Sequence, residues 1–217
     1  MIEGLIFTSY AQDVMNNSAI KIPVTLATAS KARIDMFLRA GFEPDTVPAA
    51  IDEVAIKASL LAEDAKPIDI VDALAEMKAQ RIAAKTQGLV IGADQIMEMD
   101  GQLFDKPVSL EEVRQRLLSM RNKDHRLIGA VVICENGQPV WRHMSKTVLS
   151  VRNFSEEFLD DYIEAEGEAL TKSVGAYRFE GRGAQLFSKV EGDFFSILGL
   201  SLLPVLDYLR ERGALLS

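Results

Sequence analysis

The run Leu89-Val90-Ile91-Gly92-Ala93-Asp94 decides how the rest of the chain is read. Its first residues are apolar or small without alternation, the pattern of a strand covered on both faces and therefore of a sheet with helices on each side. Asp94 ends that run, and the carboxyl end of a buried strand is where open α/β sheets place their ligand crevices. Upstream, Pro67 fits the first turn of a long helix with Ile70, Val71, Leu74, Met77 and Ile82 on its apolar face and Gly88 as its stop. Further back, Ile22 to Ala27 reads as a strand, Ser30 as the N-cap of a helix through Ile34, Phe37 and Leu38, and Gly41 as the end of that helix. Downstream, Asp100-Gly101 is a two-residue hairpin signal, which puts a ribbon directly after the strand. Ser109 and Glu112 form a capping box for a helix to about Met120. Leu127 to Cys134 and Val140 to Val151 flank Asn136-Gly137, a second hairpin with a connection slightly longer than two residues. Ser155 caps a helix to about Glu164, a strand is expected from Ala184 to Val190, and a last helix runs from about Leu202 to Arg212. Strands and helices alternate with antiparallel hairpins among them, so the expected class is α/β with a mixed sheet.

A chain of 217 residues, 48% hydrophobic and 26% charged, matches one globular domain with a full apolar core. Residues 22–217 are read as that domain. Residues 1–21, which carry no sustained period up to a break at Asn16-Asn17-Ser18, are read as an appended, mobile extension. No apolar run approaches the ~20 residues of a membrane span, and Met1-Ile2-Glu3-Gly4 lacks the basic start of a secretory signal, so the expected location is the cytoplasm. The net charge of -8 repels polyanions and argues against a broad basic face for long nucleic acid. A small phosphorylated ligand stays open, held by a local cluster of Lys and Arg or through a divalent cation. Cys134 reads as a buried core thiol, and His125 and His143 as strand-surface residues.

Four places carry candidate chemistry. The loop Thr28-Ala29-Ser30-Lys31-Ala32-Arg33 joins a strand to a helix N-terminus, where backbone N–H groups favour an anion and Arg33 offers two parallel bonds to a phosphate; an ordinary capped helix start reads the same way. Asp52-Glu53 opens another helix, as a dipole-compensating pair or as ligands. Asp94 is the carboxylate at the crevice, and Lys106, before Pro107, is a loop lysine able to reach it. Gly-x-Ser-x-Gly, P-loop and Cys-x-x-Cys signatures are missing from the sequence, which leaves acyl transfer, P-loop phosphate chemistry and thiol redox without their usual marks.

Taken in order, the motifs resemble the Maf family of nucleoside triphosphate pyrophosphatases from Val24 to Leu209. The match runs through Leu26-Ala27-Thr28-Ala29-Ser30 with Arg33, Ile51-Asp52-Glu53, Leu74-Ala75 with Lys78-Ala79, Gly92-Ala93-Asp94, Lys106-Pro107, and Gly175-Ala176-Tyr177 on to Glu191-Gly192-Asp193-Phe194-Phe195 and Gly199-Leu200. The resemblance implies an elongated mixed sheet flanked by helices, with a central cleft, similar to inosine triphosphate pyrophosphatases. It implies hydrolysis of a nucleoside triphosphate to monophosphate and diphosphate, clearing non-standard or modified nucleotides, with Mg²⁺ or Mn²⁺ as cofactor. Asp94 matches the catalytic carboxylate, as base for water or as metal ligand, and Glu53 its metal-binding partner. Ser30, Arg33, Lys78 and Lys106 match positions that hold the triphosphate. Where the family usually reads Ser-x-Ser-Pro-Arg-Arg, this chain has Thr28, Lys31 and Ala32 in place of the first Ser, the Pro and the first Arg. Gln95 and Glu180 resemble the subgroup selective for 7-methyl-GTP, whose cationic base a carboxylate would favour.

Three alternatives follow: a broad nucleoside triphosphate pyrophosphatase, a 7-methyl-GTP-selective one, and a nucleotide-binding regulator of cell division with little turnover, since the family is associated with septum formation. The implied partner is a small nucleoside triphosphate, with no long nucleic acid and no membrane, and a homodimer as candidate assembly.

Overall fold

The computed structural model describes residues 22–216, and the extension expected over residues 1–21 lies outside the described residues. In chain order the elements are β1 (Val24–Leu26), α1 (Lys31–Arg39), β2 (Asp45–Thr46), α2 (Glu53–Ala62), α3 (Pro67–Ala83), β3 (Leu89–Met99), β4 (Gln102–Phe104), α4 (Leu110–Met120), β5 (Asp124–Glu135), β6 (Gln138–Val151) and α5 (Glu156–Glu166). Two 3-10 helices (Gly167–Lys172 and Arg182–Leu186), β7 (Phe187–Glu191), α6 (Phe194–Ile197) and α7 (Leu202–Glu211) complete it. Among the described residues, seven strands form one mixed sheet in the order β2-β1-β3-β5-β6-β7, with β4 on β3. β2, β1 and β3 run parallel, while β3, β5, β6 and β7 are antiparallel neighbours. The α/β class with a mixed sheet is therefore as expected. No described helix is long and apolar enough to cross a membrane.

Side-chain alternation along β3 distributes the core. Val90 and Ile96 join Ala130 and Val132 of β5 under Val71, Ala75 and Ala79 of α3. Gly92 lies on the same face, and a Cβ there would stand 2.2 Å from the Ala75 carbonyl oxygen and 2.7 Å from the Ala79 nitrogen, so glycine is what lets α3 approach the strand. On the opposite face, Leu89 and Ile91 pack with Phe37 of α1 and Val205 and Leu209 of α7. Met97 and Met99 pack there with Val113 and Leu117 of α4 and Leu159 and Tyr162 of α5.

One edge of β3 is held by β5 from Leu89 through Glu98. The other edge is shared. β1 pairs with Leu89 through Ile91, and β4 with Met97 through Met99, so among the described residues no strand pairs with residues 92–96 on that side.

Several expectations change on contact with the structure. The strand does not end at Asp94 but continues to Met99, taking in the residues expected to form a separate ribbon; the apolar run breaks because Asp94 meets a cation, while its backbone stays laddered to Ala130. Gly88 does not close α3, which ends at Ala83; its φ of +83° and an added Cβ only 2.1 Å from the Pro23 carbonyl oxygen tie it to the start of β3. The connection at Asn136-Gly137 is two residues long, both with positive φ, as a tight hairpin turn demands. Residues 182–186 are 3-10 rather than strand, so β7 starts at Phe187. His125 is not on the surface. It is 1% exposed, its Nε2 lies 2.8 Å from the Tyr177 hydroxyl, and its Nδ1 has no partner among the described residues. Cys134 is buried, as expected.

Candidate active site

The strandless edge of β3 gathers charged side chains from both faces of the sheet. Asp94 stands in the middle of it, 6% exposed, on the face that α3 covers. The long helix α3, fixed over β3 by the Gly92 contact, delivers Lys78, which is also buried. Lys78 Nζ donates to Asp94 Oδ1 at 2.5 Å and lies 3.0 Å from Glu53 Oε1. The acidic pair that opens α2 divides its labour. Asp52 is the N-cap, accepting the Ala55 N–H, and leaves Glu53 in the first turn to face Lys78.

Arg33 enters from α1. Its Nε donates to the Gly199 carbonyl and its Nη1 to the Ala93 carbonyl, both at 2.8 Å. The second bond satisfies a β3 carbonyl on the edge where no strand pairs. The guanidinium is therefore fixed by main chain, and the two-bond grip expected of it on a phosphate is reduced to Nη2, the nitrogen with no acceptor among the described residues. Lys106 follows β4 in the loop, itself exposed and followed by the buried Pro107, and it is close enough to Arg33, Glu53, Lys78 and Asp94 for their charges to act on its ammonium.

Electrostatics follow from this packing. Burial raises the Asp94 carboxyl above its ordinary pKa, with Lys78 and Arg33 pulling it back and Glu53 adding to the rise. Burial lowers Arg33 while Asp94 and Glu53 oppose the change, so the guanidinium keeps its charge. Lys106 is lowered by burial and then by Arg33.

Glu53, Lys78, Asp94, Arg33 and Lys106 thus come together. Ser30 heads α1, yet its hydroxyl makes no capping bond; the Thr28 hydroxyl instead accepts the Ser30 N–H at 3.0 Å. Gln95 points to the opposite face from Asp94 and donates to the Ser196 carbonyl at 2.6 Å. Glu180 sits apart as well, 3.2 Å from Arg178 Nε, with Arg178 also paired to Glu166 of α5 at 2.9 Å.

Two supporting cations were not singled out from the sequence. Lys57, one turn beyond Glu53 on α2, reaches Asp105 at 2.5 Å and so ties that helix to the loop of Lys106. Arg116, buried on α4, donates to the Asp105 and Val174 carbonyls and pairs with Glu112. The spacing of Lys57 from Glu53 was the available signal for the first, because residues four apart share a helix face. Nothing in the spacing of α4 marks Arg116, whose neighbours Val113 and Leu117 read as core. Among the described residues no group of three or more His, Cys, Asp or Glu is placed to hold a metal alone. A groove of about 540 Å³ alongside, lined by residues such as Ile51, Ile56, Met77 and Arg81, includes none of Asp94, Lys78 or Arg33.

Comparison with known proteins gives the context. The family described as "Maf-like protein" matches residues 23–212. A nucleoside triphosphate pyrophosphatase of Caulobacter vibrioides is 53% identical over 193 residues, covering 89% of this chain and 97% of that one. Another of that name, from Paramagnetospirillum magneticum, is 50% identical over 191 residues, covering 88% and 98%. Among solved structures, a HAM1 protein from Coxiella burnetii aligns with a TM-score of 0.40 at 12% identity, covering 60% of this chain and 73% of that chain.

Proposed function

Since the chain belongs to the Maf-like protein family, we propose that it is a nucleoside triphosphate pyrophosphatase whose chemistry is carried by Asp94 and assisted by a divalent cation. The observation that supports this most is the meeting of Asp94 with Lys78, Glu53, Arg33 and Lys106 on the strandless edge of β3. A triphosphate is a compact polyanion, and those cations would neutralise it while α1 offers its N-terminus beside Ser30. Asp94, with a carboxyl already pushed upward by burial, is suited to take a proton from water. The water oxygen bonds to the α-phosphorus, the bridging bond to the β-phosphate breaks, and its electron pair leaves with diphosphate. Arg33 Nη2, Lys78 and Lys106 would follow the negative charge onto the leaving group.

The donor set suits Mg²⁺ or Mn²⁺. Oxygens of Glu53 and Asp94 converge on one cationic nitrogen, at 3.0 and 2.5 Å, and two carboxylates completed by phosphate oxygens and water are a usual Mg²⁺ environment. When bound there, such an ion would supply charge neutralisation and a more acidic water. Asp94 and Glu53 would hold it, and the reading extends to clearance of modified nucleotides.

No observation favours selection of 7-methyl-GTP, because the Glu180 carboxylate is engaged by Arg178. The regulator reading is disfavoured by retention of the whole charged cluster. The deciding experiment is a screen of common and modified nucleoside triphosphates with Mg²⁺ and Mn²⁺, scored for diphosphate. Turnover is expected, lost in excess chelator and lowered on the order of 10²-fold or more in kcat by Asp94→Asn, the scale of a lost general base. Absence of diphosphate release from every nucleotide would overturn the proposal, and near-normal turnover by Asp94→Asn would remove that residue from the chemistry.

A further inference from the structure

Lys78 occupies the space that a metal would need. Its side chain is 8% exposed and that of Asp94 9%, and its ammonium touches one oxygen of each carboxylate. Without it, Glu53 and Asp94 would bring two negative charges together, one of them buried, an arrangement that like-charge repulsion and desolvation both oppose. The helix that carries Lys78 already packs against β3 as closely as it can, because Ala75 and Ala79 lie directly on Gly92. The torsions of its flexible four-carbon stem are what can move the ammonium without disturbing that packing.

We propose that Lys78 is a resident, displaceable cation that fills the metal position of the free protein and turns to the triphosphate when cation and nucleotide arrive together. This rests on the metal-assisted reading above. A hard cation coordinates carboxylate oxygens at ~2.0–2.6 Å, so on the two oxygens that Lys78 contacts it would stand within a few ångströms of a like-charged ammonium. A cation arriving alone meets that repulsion unless it displaces a buried ammonium whose only partners among the described residues are these two carboxylates. Arriving with a triphosphate, it brings phosphate oxygens to which that ammonium can turn. Cation and nucleotide consequently favour one another's binding, and the coupling is reciprocal. Lys78 is in this respect a positioning residue for the cation as well as a contact for phosphate.

The test is direct Mn²⁺ binding to the full chain, followed by the electron paramagnetic resonance signal of free Mn²⁺ at pH 8. Parent, Lys78→Met and Lys78→Arg are compared with and without a non-hydrolysable triphosphate analogue. Lys78→Met should bind Mn²⁺ in the absence of nucleotide roughly tenfold or more tightly than the parent, the scale on which neighbours of metal ligands set affinity, while Lys78→Arg stays weak. The analogue should tighten Mn²⁺ binding more in the parent than in Lys78→Met. Thermal melting gives a second readout for a poorly folded variant: added Mn²⁺ should raise the Tm of Lys78→Met more than that of the parent. Should the carboxylates and lysine instead form a permanent ion pair, Lys78→Met would bind Mn²⁺ no better than the parent and gain no extra Tm, and the exchange would be overturned while metal assistance stood. Failure of every protein to bind Mn²⁺, with or without analogue, would overturn both.

Discussion

His125 is held neutral inside the core, and its environment makes it a pH-sensitive component of stability. Burial lowers its pKa from 6.5 to about 4, with Asp124 only partly opposing. Above pH 6.5 the imidazole is neutral in folded and unfolded chains alike, so the full contribution to stability is present. As pH falls, the unfolded chain takes up a proton that the folded chain refuses, and stability is lost from about 6.5 down through about 4. At ~1.4 kcal/mol per unit the loss comes to about 3 kcal/mol. The Tm of the parent should therefore fall more between pH 7.5 and 4.5 than that of His125→Gln, which cannot titrate there. Parallel curves would assign the acid sensitivity to other groups. Asp94 has the opposite sign: its raised carboxyl favours the protonated folded form, so burial of the ionised group costs stability at neutral pH. Lys78 offsets that cost, and removing one partner of such a pair is expected to destabilise by about 3–5 kcal/mol.

At the level of elements, the contact of α3 with β3 is the one that both the core and the site depend on. Replacing Gly92 by alanine would push a methyl into the Ala75 carbonyl and the Ala79 nitrogen, main-chain atoms that cannot swing aside. Gly92→Ala should lower stability by roughly 1–3 kcal/mol, as overpacking does, and should also weaken turnover through the displaced Lys78. A chemical denaturation midpoint measured beside kcat would test both, and an unchanged midpoint would mean that the helix yields. The elements themselves were largely legible. Ser109 and Ser155 cap α4 and α5 by accepting the Glu112 and Phe158 N–H, although the capping box at Ser109 is half made because Glu112 reaches the Val108 N–H instead, and Asp100-Gly101 turns with φ of +53° and +78°. What sequence could not convey was continuation: β3 passes through Asp94 because β5 keeps pairing with it, and a pairing partner leaves no local mark. The meeting of side chains at the candidate site was legible to the same degree. Asp94, Glu53, Arg33, Lys78 and Lys106 converge, but the preoccupation of Arg33 with Ala93 and Gly199, and of Gln95 with Ser196, depends on contacts 60, 166 and 101 residues away in the chain. His125 misled for the same reason, since Tyr177 is 52 residues distant.

Across the whole molecule, a net charge of -8 coexists with a site that gathers Arg33, Lys78 and Lys106. The long-range field discourages polyanions, and the local cluster attracts a short one that can enter it. The interrupted edge of β3 has a mechanical meaning too. On its other side, β3 is bonded to β5 through ten successive residue pairs, from Leu89 to Glu98, without a register shift. The sheet therefore parts on one side and stays continuous on the other, which opposes rotation of its two flanks about β3. On the proposed function, capture of a triphosphate is then expected to proceed by reorienting side chains and loops rather than by domain closure. Small-angle scattering should give the same radius of gyration with and without a bound triphosphate analogue, and a measurable contraction would mean that the sheet bends.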